Sequence, residues 1–274
     1  MRLVFIGDVF GSSGRAAVQK HLTSVFQVLK PDVVICNGEN AAHGTGITPS
    51  MCDDLFKAGV DVITLGNHAF DKHEIIPRLN DDPRICRPLN YPTGTPGRGH
   101  VIHELKDGRK LAVINVMGNL FMANALSDPF AMMDQLVPTL GTPFVFVDMH
   151  AEATSEKQSL AFFLDGRVSA LIGTHTHAPT SDCRILPNGT AFQSDAGMTG
   201  DYNSVIGMQK EAPLERFITK IRTMKNQPAE GLGTLCGNVI DLDDKGRAKA
   251  IIPLRLGGIL QETPLDQIAA ALAA

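Results

Sequence analysis

Short apolar stretches that alternate with helical patterns are the feature that most constrains the fold of this chain. They lie at 3–7 (LVFIG), 32–37 (DVVICN), 61–66 (DVITLG), 110–116 (KLAVINV), 143–149 (PFVFVDM) and 169–173 (SALIG). Helical patterns at 13–29 and 49–58 separate the first three, and Thr48 and Pro49 are typical of an N-cap and a first helical turn. This alternation predicts βαβ units, and therefore an α/β fold with a partly parallel sheet covered by helices.

Turn signals between other apolar runs predict antiparallel strands as well. Asp107-Gly108, Asn188-Gly189 and the segment 244–246 each separate two strand-like stretches, as in hairpins. The chain has 274 residues, 43% of them hydrophobic, which is enough for one large core. Because no repeat or low-complexity linker interrupts it, we expect a single domain over 1–274. We expect the Ala-rich tail after about residue 266 to be only marginally ordered.

Composition restricts the partners and the compartment. The formal net charge of −4 does not suit binding to duplex nucleic acid, although a small phosphorylated ligand could still meet a local positive charge. Five scattered cysteines, without C-x-x-C spacing, indicate reduced thiols in a cytoplasmic protein. No apolar run is long enough for a signal peptide or a membrane span. The hairpins leave sheet edges that are compatible with a homo-oligomer of unspecified symmetry.

Polar side chains follow five of the predicted strands at their carboxyl ends. They are Asp8 in GDVFG, Glu39 and Asn40 in NGEN, Asn67 and His68 in GNHAFD, His150 after FVFVDM, and His175 and His177 in GTHTH. Open α/β sheets bind their ligands at this edge. Carboxylate, amide and imidazole groups are also the ligands of divalent metals. The pattern therefore predicts a metal site.

Taken singly, each position has an ordinary structural explanation. Asp8 could be a helix cap or a turn residue, the NGEN segment a polar turn, and His150 a buried histidine with satisfied hydrogen bonds. On an extended strand, His175 and His177 would point to the same side, where two imidazoles can share a site. Caps and turns need no histidines, so the coincidence of five strand ends favours metal binding.

The order of these motifs resembles that of the calcineurin-like metallophosphoesterases over roughly residues 4–200. GDVFG, NGEN, MHAEATSEK and GTHTHAPT are similar to the YmdB-type bacterial phosphodiesterases in particular. The resemblance implies a sandwich of two mixed β-sheets flanked by helices. It also implies two divalent metal ions per chain. Mixed nitrogen and oxygen ligands suit iron or manganese, and zinc is not excluded.

Two departures from the wider superfamily bear on the ligand set. Phe10 stands where the common D-x-H motif has a histidine, and Glu39 replaces the usual bridging aspartate. By resemblance, one metal would be held by Asp8, Glu39, Asn40 and His177. The other would be held by Asn67, His150 and His175 together with Glu39 as the bridge.

The resemblance also assigns His68 as the general acid, because an imidazole can protonate a leaving alkoxide near neutral pH. Asp71 could orient His68, or it could cap a helix beginning near Lys72. Lys157 could contact phosphate, or it could be a solvated lysine at a helix start. Gly7, Gly11, Gly66 and Gly173 could allow close backbone approach to the site or could be turn glycines. His43, which follows NGENAA, could belong to the site or be a surface residue.

The YmdB-type resemblance implies hydrolysis of a cyclic nucleotide, with a 2′,3′-cyclic nucleotide favoured and a 3′,5′-cyclic one also possible. A metal-bridging hydroxide would attack the phosphorus. Two alternatives remain open at this point: a phosphomonoesterase of the nucleotidase or phosphoprotein type, and a regulatory protein that binds metal without catalysis. The only tyrosines are Tyr91 and Tyr202, and there is no tryptophan, so a stacking surface for a base must use these or a phenylalanine such as Phe10 or Phe121.

Overall fold

The computed structural model describes residues 1–123 and 126–273, which form twelve strands and seven α-helices. The strands are β1 (Arg2–Ile6), β2 (Val33–Asn37), β3 (Val62–Thr64), β4 (Ile85–Cys86), β5 (His100–Glu104), β6 (Lys110–Met117), β7 (Phe144–His150), β8 (Ala170–Thr174), β9 (Arg184–Ile185), β10 (Ala191–Gln193), β11 (Leu235–Leu242) and β12 (Ala248–Leu256). The helices are α1 (Gly11–Leu29), α2 (Pro49–Ala58), α3 (Ile75–Asp81), α4 (Pro129–Leu136), α5 (Thr154–Phe163), α6 (Glu211–Thr219) and α7 (Leu265–Ala273), with a 3₁₀ turn at Val137–Thr139.

The strands form two six-stranded mixed sheets. The first has the order β12-β11-β1-β2-β3-β4, in which β1 to β4 are parallel and β11 and β12 are antiparallel. The second has the order β5-β6-β7-β8-β10-β9, with β6, β7, β8 and β10 parallel. The predicted α/β fold of two mixed sheets is therefore confirmed, and all three turn signals lie between antiparallel neighbours.

The two sheets pack face to face over an apolar layer. Leu3 and Phe5 point into this layer, and the ring centroids of Phe5 and Phe146 lie 4.9 Å apart. The alternate residues of β1, Val4 and Ile6, face a second layer beneath the helices that cover the first sheet. A third layer lies between the second sheet and the helices α4 and α5. The central strands are buried on both faces, which explains their continuous apolar sequences.

The expectation for the C-terminal tail was wrong. Residues 265–273 form α7, and Ile268 is buried in the core beneath the first sheet's helices. Leu265, Ala269 and Leu272 pack against the same core, because helical spacing brings them to the side that faces it. Within the described ranges, no helix is both long enough and apolar enough to cross a membrane.

Candidate metal centre

The polar residues predicted from the strand ends lie together at one end of the sandwich. Asp8, Glu39 and Asn67 follow β1, β2 and β3 of the first sheet, whereas His150 ends β7 and His175 follows β8 of the second. Because these strands are parallel within each sheet, their carboxyl ends reach the same edge. The site thus draws side chains from both sheets.

Three donor atoms surround Nε2 of His150. Asn67 Oδ1 lies 2.8 Å from it, His175 Nδ1 3.1 Å and Glu39 Oε1 3.2 Å. Donor atoms of Glu39, His150 and His175 all lie within 4.8 Å of one another, so one ion could contact all three. Two imidazole nitrogens with carboxylate and amide oxygens form a donor set that fits a borderline divalent metal.

Asp8 and His177 adjoin this group of donor atoms: Asp8 Oδ1 lies 3.9 Å from His150 Nδ1, and His177 is linked to Glu39 through Asn40. Asp8 is fully buried, and its Oδ2 accepts a hydrogen bond of 3.0 Å from the backbone N–H of His175. Its Oδ1 has no hydrogen-bond partner among the described residues. A buried carboxylate oxygen is almost always satisfied in folded proteins, so this atom fits a cation ligand. His177 Nδ1 lies 2.9 Å from the carbonyl oxygen of Ile206, which leaves Nε2 directed at the cluster.

Asn40 lies between these groups but presents its nitrogen. Nδ2 of Asn40 lies 3.0 Å from Glu39 Oε1 and 3.1 Å from His177 Nε2. Metals bind amides through oxygen, so Asn40 would serve as a ligand only after a half-turn about its Cβ–Cγ bond. Its position matches the sequence-based assignment, whereas its donor atom does not.

Mutual electrostatic effects set the charges of the cluster. Burial opposes the charge of Glu39, but His150 outweighs this effect and lowers the pKa of Glu39 to about 2. Burial also opposes the charge of His150, yet Glu39 and Asp8 raise its pKa to about 9. Burial and the neighbouring His150 lower the pKa of His175 to about 3. Glu39 is therefore anionic and His175 neutral, the states in which these groups bind metal.

A buried hydrogen-bond chain behind His150 fixes its tautomer. Thr174 Oγ1 donates to Asp148 Oδ1 at 2.7 Å, so it accepts from Nδ1–H of His150 at 2.9 Å. When a metal displaces the second ring proton, this arrangement leaves the lone pair of Nε2 facing the cluster. Asp148 Oδ2 also accepts from Asn37 Nδ2 and Thr64 Oγ1 of the first sheet, at 2.9 and 2.5 Å. Asp148 thereby links the two sheets directly beneath the site.

The GTHTH segment does not continue the strand, contrary to the sequence-based expectation. β8 ends at Thr174, and His175 and His177 have left-handed backbone angles, with φ of 97° and 65°. The backbone N–H of Thr176 donates to Asp195 Oδ2 at 3.0 Å, which holds the loop between the two histidines. Tight turning, rather than strand alternation, therefore directs both imidazoles at the cluster.

Glu152 and Lys157 contribute to this loop from the MHAEATSEK segment. Glu152 Oε2 lies 3.2 Å from His175 Nε2, and this contact leaves Nδ1 of His175 for the cluster. Lys157 is fully buried and its Nζ lies 2.9 Å from Asp195 Oδ2. Both sequence-based interpretations of Lys157 were wrong, because a buried, ion-paired lysine is neither solvated nor able to contact a phosphate.

His68 lies beside the cluster, and its ring contacts the carboxylate of Asp71 on one side. Its Nδ1 is 2.8 Å from Asp71 Oδ2, and its backbone N–H donates to Glu39 Oε2 at 3.0 Å. The imidazole is 31% exposed, so solvent and ligands can reach it. α3 begins at Ile75 after Glu74, so the alternative role of Asp71 as a helix cap was wrong. His43 is exposed in the loop between β2 and α2.

Gly66 shows why a glycine precedes Asn67. A Cβ atom at this position would lie 2.3 Å from Glu39 Oε2 and 2.5 Å from His150 Nε2, so any side chain would displace the cluster. A Cβ at Gly173 would likewise meet the carbonyl oxygen of Ser194 at 1.8 Å. These two glycines are required by close approach, which the sequence allowed but did not decide.

Sequence reasoning missed the residues that support the cluster from behind. Asp148 had a usable signal, because an aspartate within the apolar run FVFVDM is rarely buried without a specific partner. Asp195 and Glu152 had none, since their partners are distant in sequence or lie on a loop of irregular backbone. Thr174 lies inside the GTHTH motif, but its hydrogen-bond role depends on Asp148.

Two facing mixed sheets, flanked by helices and with metal-binding residue types gathered at the carboxyl ends of their parallel strands, define a calcineurin-like metallophosphoesterase. The model of the YmdB-like protein family matches residues 4–254, and the chain belongs to this family. It is accordingly a hydrolase.

Individual relatives agree with the family assignment. The chain is 47% identical over 247 residues to a 2′,3′-cyclic-nucleotide 2′-phosphodiesterase of Bacillus subtilis (strain 168), a match that covers 89% of this chain and 92% of the relative. It is 33% identical to a putative phosphatase/phosphodiesterase of Mycoplasma genitalium, with 80% of each chain covered.

Solved structures resemble the chain over nearly its whole length. A hypothetical protein from Thermus thermophilus superposes with a TM-score of 0.89 at 44% identity, covering 94% of this chain and all of that one. A phosphatase from Mycoplasma pneumoniae superposes with a TM-score of 0.88 at 30% identity, covering 94% of this chain and 93% of that one.

Proposed function

We propose that this protein is a metal-dependent phosphodiesterase that opens 2′,3′-cyclic nucleotides, with His68 as the general acid. One observation carries the proposal: the His68–Asp71 pair lies at the rim of a buried cluster of metal-donor atoms. A metal-binding cluster alone would suit many functions. A partly exposed imidazole oriented by a carboxylate and tied to the same cluster suits proton transfer to a leaving group.

The residues present fit two divalent ions, as the unpartnered Oδ1 of Asp8 and the atoms around His150 Nε2 indicate. One set would be Asp8, Asn40 and His177, and the other Asn67, His150 and His175, with Glu39 shared between them. Iron or manganese suits this mixture of nitrogen and oxygen donors, and zinc is also compatible. When bound, two such ions would supply a nucleophilic water of lowered pKa and neutralise charge on the phosphate.

The chain's own residues would direct the breakdown of the ester. Asp71 accepts from Nδ1–H of His68, so Nε2–H is the proton available to the substrate. As water adds to phosphorus and the P–O bond to the ribose breaks, His68 gives this proton to the departing oxygen. The hydrogen bond from the backbone N–H of His68 to Glu39 Oε2 holds the acid beside the cluster. The printed name of the B. subtilis relative favours the 2′ oxygen as the leaving group.

Hydrolysis by the metal-loaded protein tests the proposal directly. We expect 2′,3′-cyclic nucleotides to be opened faster than 3′,5′-cyclic nucleotides or a simple phosphomonoester. His68→Ala should lower kcat by about 10²- to 10⁴-fold while metal content is unchanged. His103→Ala on β5 is the matched control and should keep the wild-type rate. An unchanged kcat in His68→Ala would contradict the role of His68 as the acid.

A phosphomonoesterase is the second candidate, because two relatives carry the printed names putative phosphatase/phosphodiesterase and phosphatase. A strong preference for the monoester in the same assay would favour it. A purely regulatory role is less well supported, since a sensor has no use for the oriented His68. We place the reaction in the cytoplasm, with a small phosphorylated molecule as substrate, and five unpaired thiols support that compartment.

A further inference from the structure

An open groove of about 600 Å³ is lined by the segments that follow β3 and β4, and aromatic side chains form part of its walls. Its lining includes Phe70, His73, Ile76, Tyr91 and Thr95. We infer that this groove binds the base of the nucleotide substrate. The inference rests on the proposed function, and it assigns a specificity site that the metal cluster alone cannot provide.

Each of the two segments that line the groove is connected to His150 by neighbouring residues and their contacts. Phe70 follows Asn67, whose Oδ1 contacts His150 Nε2, by only three positions. On the other wall, Tyr91 follows Asn90, whose side chain donates to the carbonyl of Met117 at 2.8 Å. Met117 is the register partner of His150 across β6 and β7. Both segments that line the groove therefore adjoin residues of the cluster.

The wall that carries Tyr91 is held rigidly. The buried guanidinium of Arg87 donates to the carbonyls of Pro88, Thr95 and Pro96 at 2.7, 3.2 and 3.3 Å, on both sides of Tyr91 in the loop. Rigid aromatic surfaces bind ligands at a low cost in entropy, because little has to be ordered on binding. The loop that carries Tyr91 therefore holds the tyrosine ring in a fixed position.

The chemistry of the groove matches a nucleobase. Phe70 and Tyr91 contact edge to face, with ring centroids 5.4 Å apart, so each ring supports the other. Stacking on aromatic rings accepts any base, because every base has a π face. His73 and Thr95 add polar groups that can meet the edge of a base.

Two substrates that differ only in the base test the inference. Adenosine 2′,3′-cyclic phosphate carries the base, and methyl riboside 2′,3′-cyclic phosphate lacks it. We expect wild-type protein to favour the first in kcat/KM by about 5- to 150-fold, the range that one stacked base supplies. Tyr91→Ala should lower this ratio by about 10-fold, and Tyr91→Phe, which keeps the ring, should restore most of it. Phe217→Ala, at an exposed phenylalanine of α6, is the matched control and should leave the ratio at its wild-type value.

The possible results distinguish failure of base binding in the groove from failure of the proposed function. If wild type opens both substrates with equal kcat/KM, or if Tyr91→Ala keeps the wild-type ratio, the groove does not bind the base although the proposed function stands. If wild type opens neither substrate, the proposed function fails. Calorimetric titration with adenosine then decides the groove alone: binding that Tyr91→Ala weakens about 10-fold supports it, and equal binding or none overturns it.

Discussion

The buried ion pair between Lys157 and Asp195 offers the sharpest test of how the GTHTH loop is held. Both side chains are almost fully buried, and their charged atoms lie 2.9 Å apart. Asp195 also accepts from the backbone N–H groups of Thr176 and Gly197, at 3.0 and 2.9 Å. Lys157→Met keeps most of the length of the side chain but removes the positive charge, leaving the Asp195 carboxylate buried with two neutral donors.

The magnitude follows from these contacts. Removing one partner of a buried ion pair costs about 3–5 kcal/mol in the free energy of unfolding, because the remaining charge is uncompensated. The two backbone donors to Asp195 persist, so we expect the lower end, about 3 kcal/mol. That is a large part of the roughly 5–15 kcal/mol that stabilises a typical domain. Metal affinity should fall as well, because Thr176 lies between His175 and His177.

Denaturation by urea, followed by circular dichroism, measures the loss. Lys110→Met is the matched control, because Lys110 pairs with Glu104 at 3.7 Å on the exposed surface and should change stability by less than about 0.5 kcal/mol. The double variant Lys157→Met with Asp195→Asn removes both charges, keeps an oxygen that can accept from the backbone donors, and should recover part of the loss. A loss below about 1 kcal/mol in Lys157→Met would refute the reasoning.

Three further changes test separate features of the site and its surroundings. Glu152→Gln should weaken manganese binding by about 10-fold in equilibrium dialysis, because His175 loses the carboxylate that fixes its ring, and unchanged affinity would count against that role. Gly66→Ala should lower kcat/KM by at least about 10², since its Cβ displaces donor atoms, and a wild-type rate with wild-type metal content would contradict this. Burial opposes the charge of Asp182, but hydrogen bonds from Ser194 and Thr180 lower its pKa below the ordinary value. Its stabilising effect is therefore present above about pH 4 and lost as pH falls through the lowered pKa, so wild type should exceed Asp182→Asn in urea stability at pH 7 and converge with it in strong acid.

The sequence predicted the strands and the polar residues at their ends because both depend on local patterns. β-branched runs define buried strands, and parallel pairing brings their carboxyl ends together whatever the details of packing. Thr48 accepts from the backbone N–H of Met51 at 3.3 Å, as its position before Pro49 predicted. The assignment of individual residues to two metals remains a prediction, as does the single domain over 1–274.

Features that depend on distant partners could not be predicted. Nothing local distinguishes Lys157 from a solvated lysine at a helix start, since Asp195 is 38 positions away. The left-handed backbone at His175 and His177 could not be predicted either, because the sequence pattern placed both histidines on an extended strand that in fact ends at Thr174. Ile268 looked like part of a marginal tail, because the apolar surface that it covers is formed by residues from the start of the chain.

The position of Asp148 explains why the site forms only when both sheets are in place. Its carboxylate accepts from Asn37 and Thr64 of the first sheet and from Thr174 of the second, which in turn fixes His150. A change in how the sheets pack would therefore rotate the imidazole that the other donor atoms surround. Since those donors also come from both sheets, a cation bound among them would stabilise the same packing that Asp148 requires. The apolar layer between the sheets and the polar cluster at its end thus act as one cooperative unit, and their stability and metal affinity should change together.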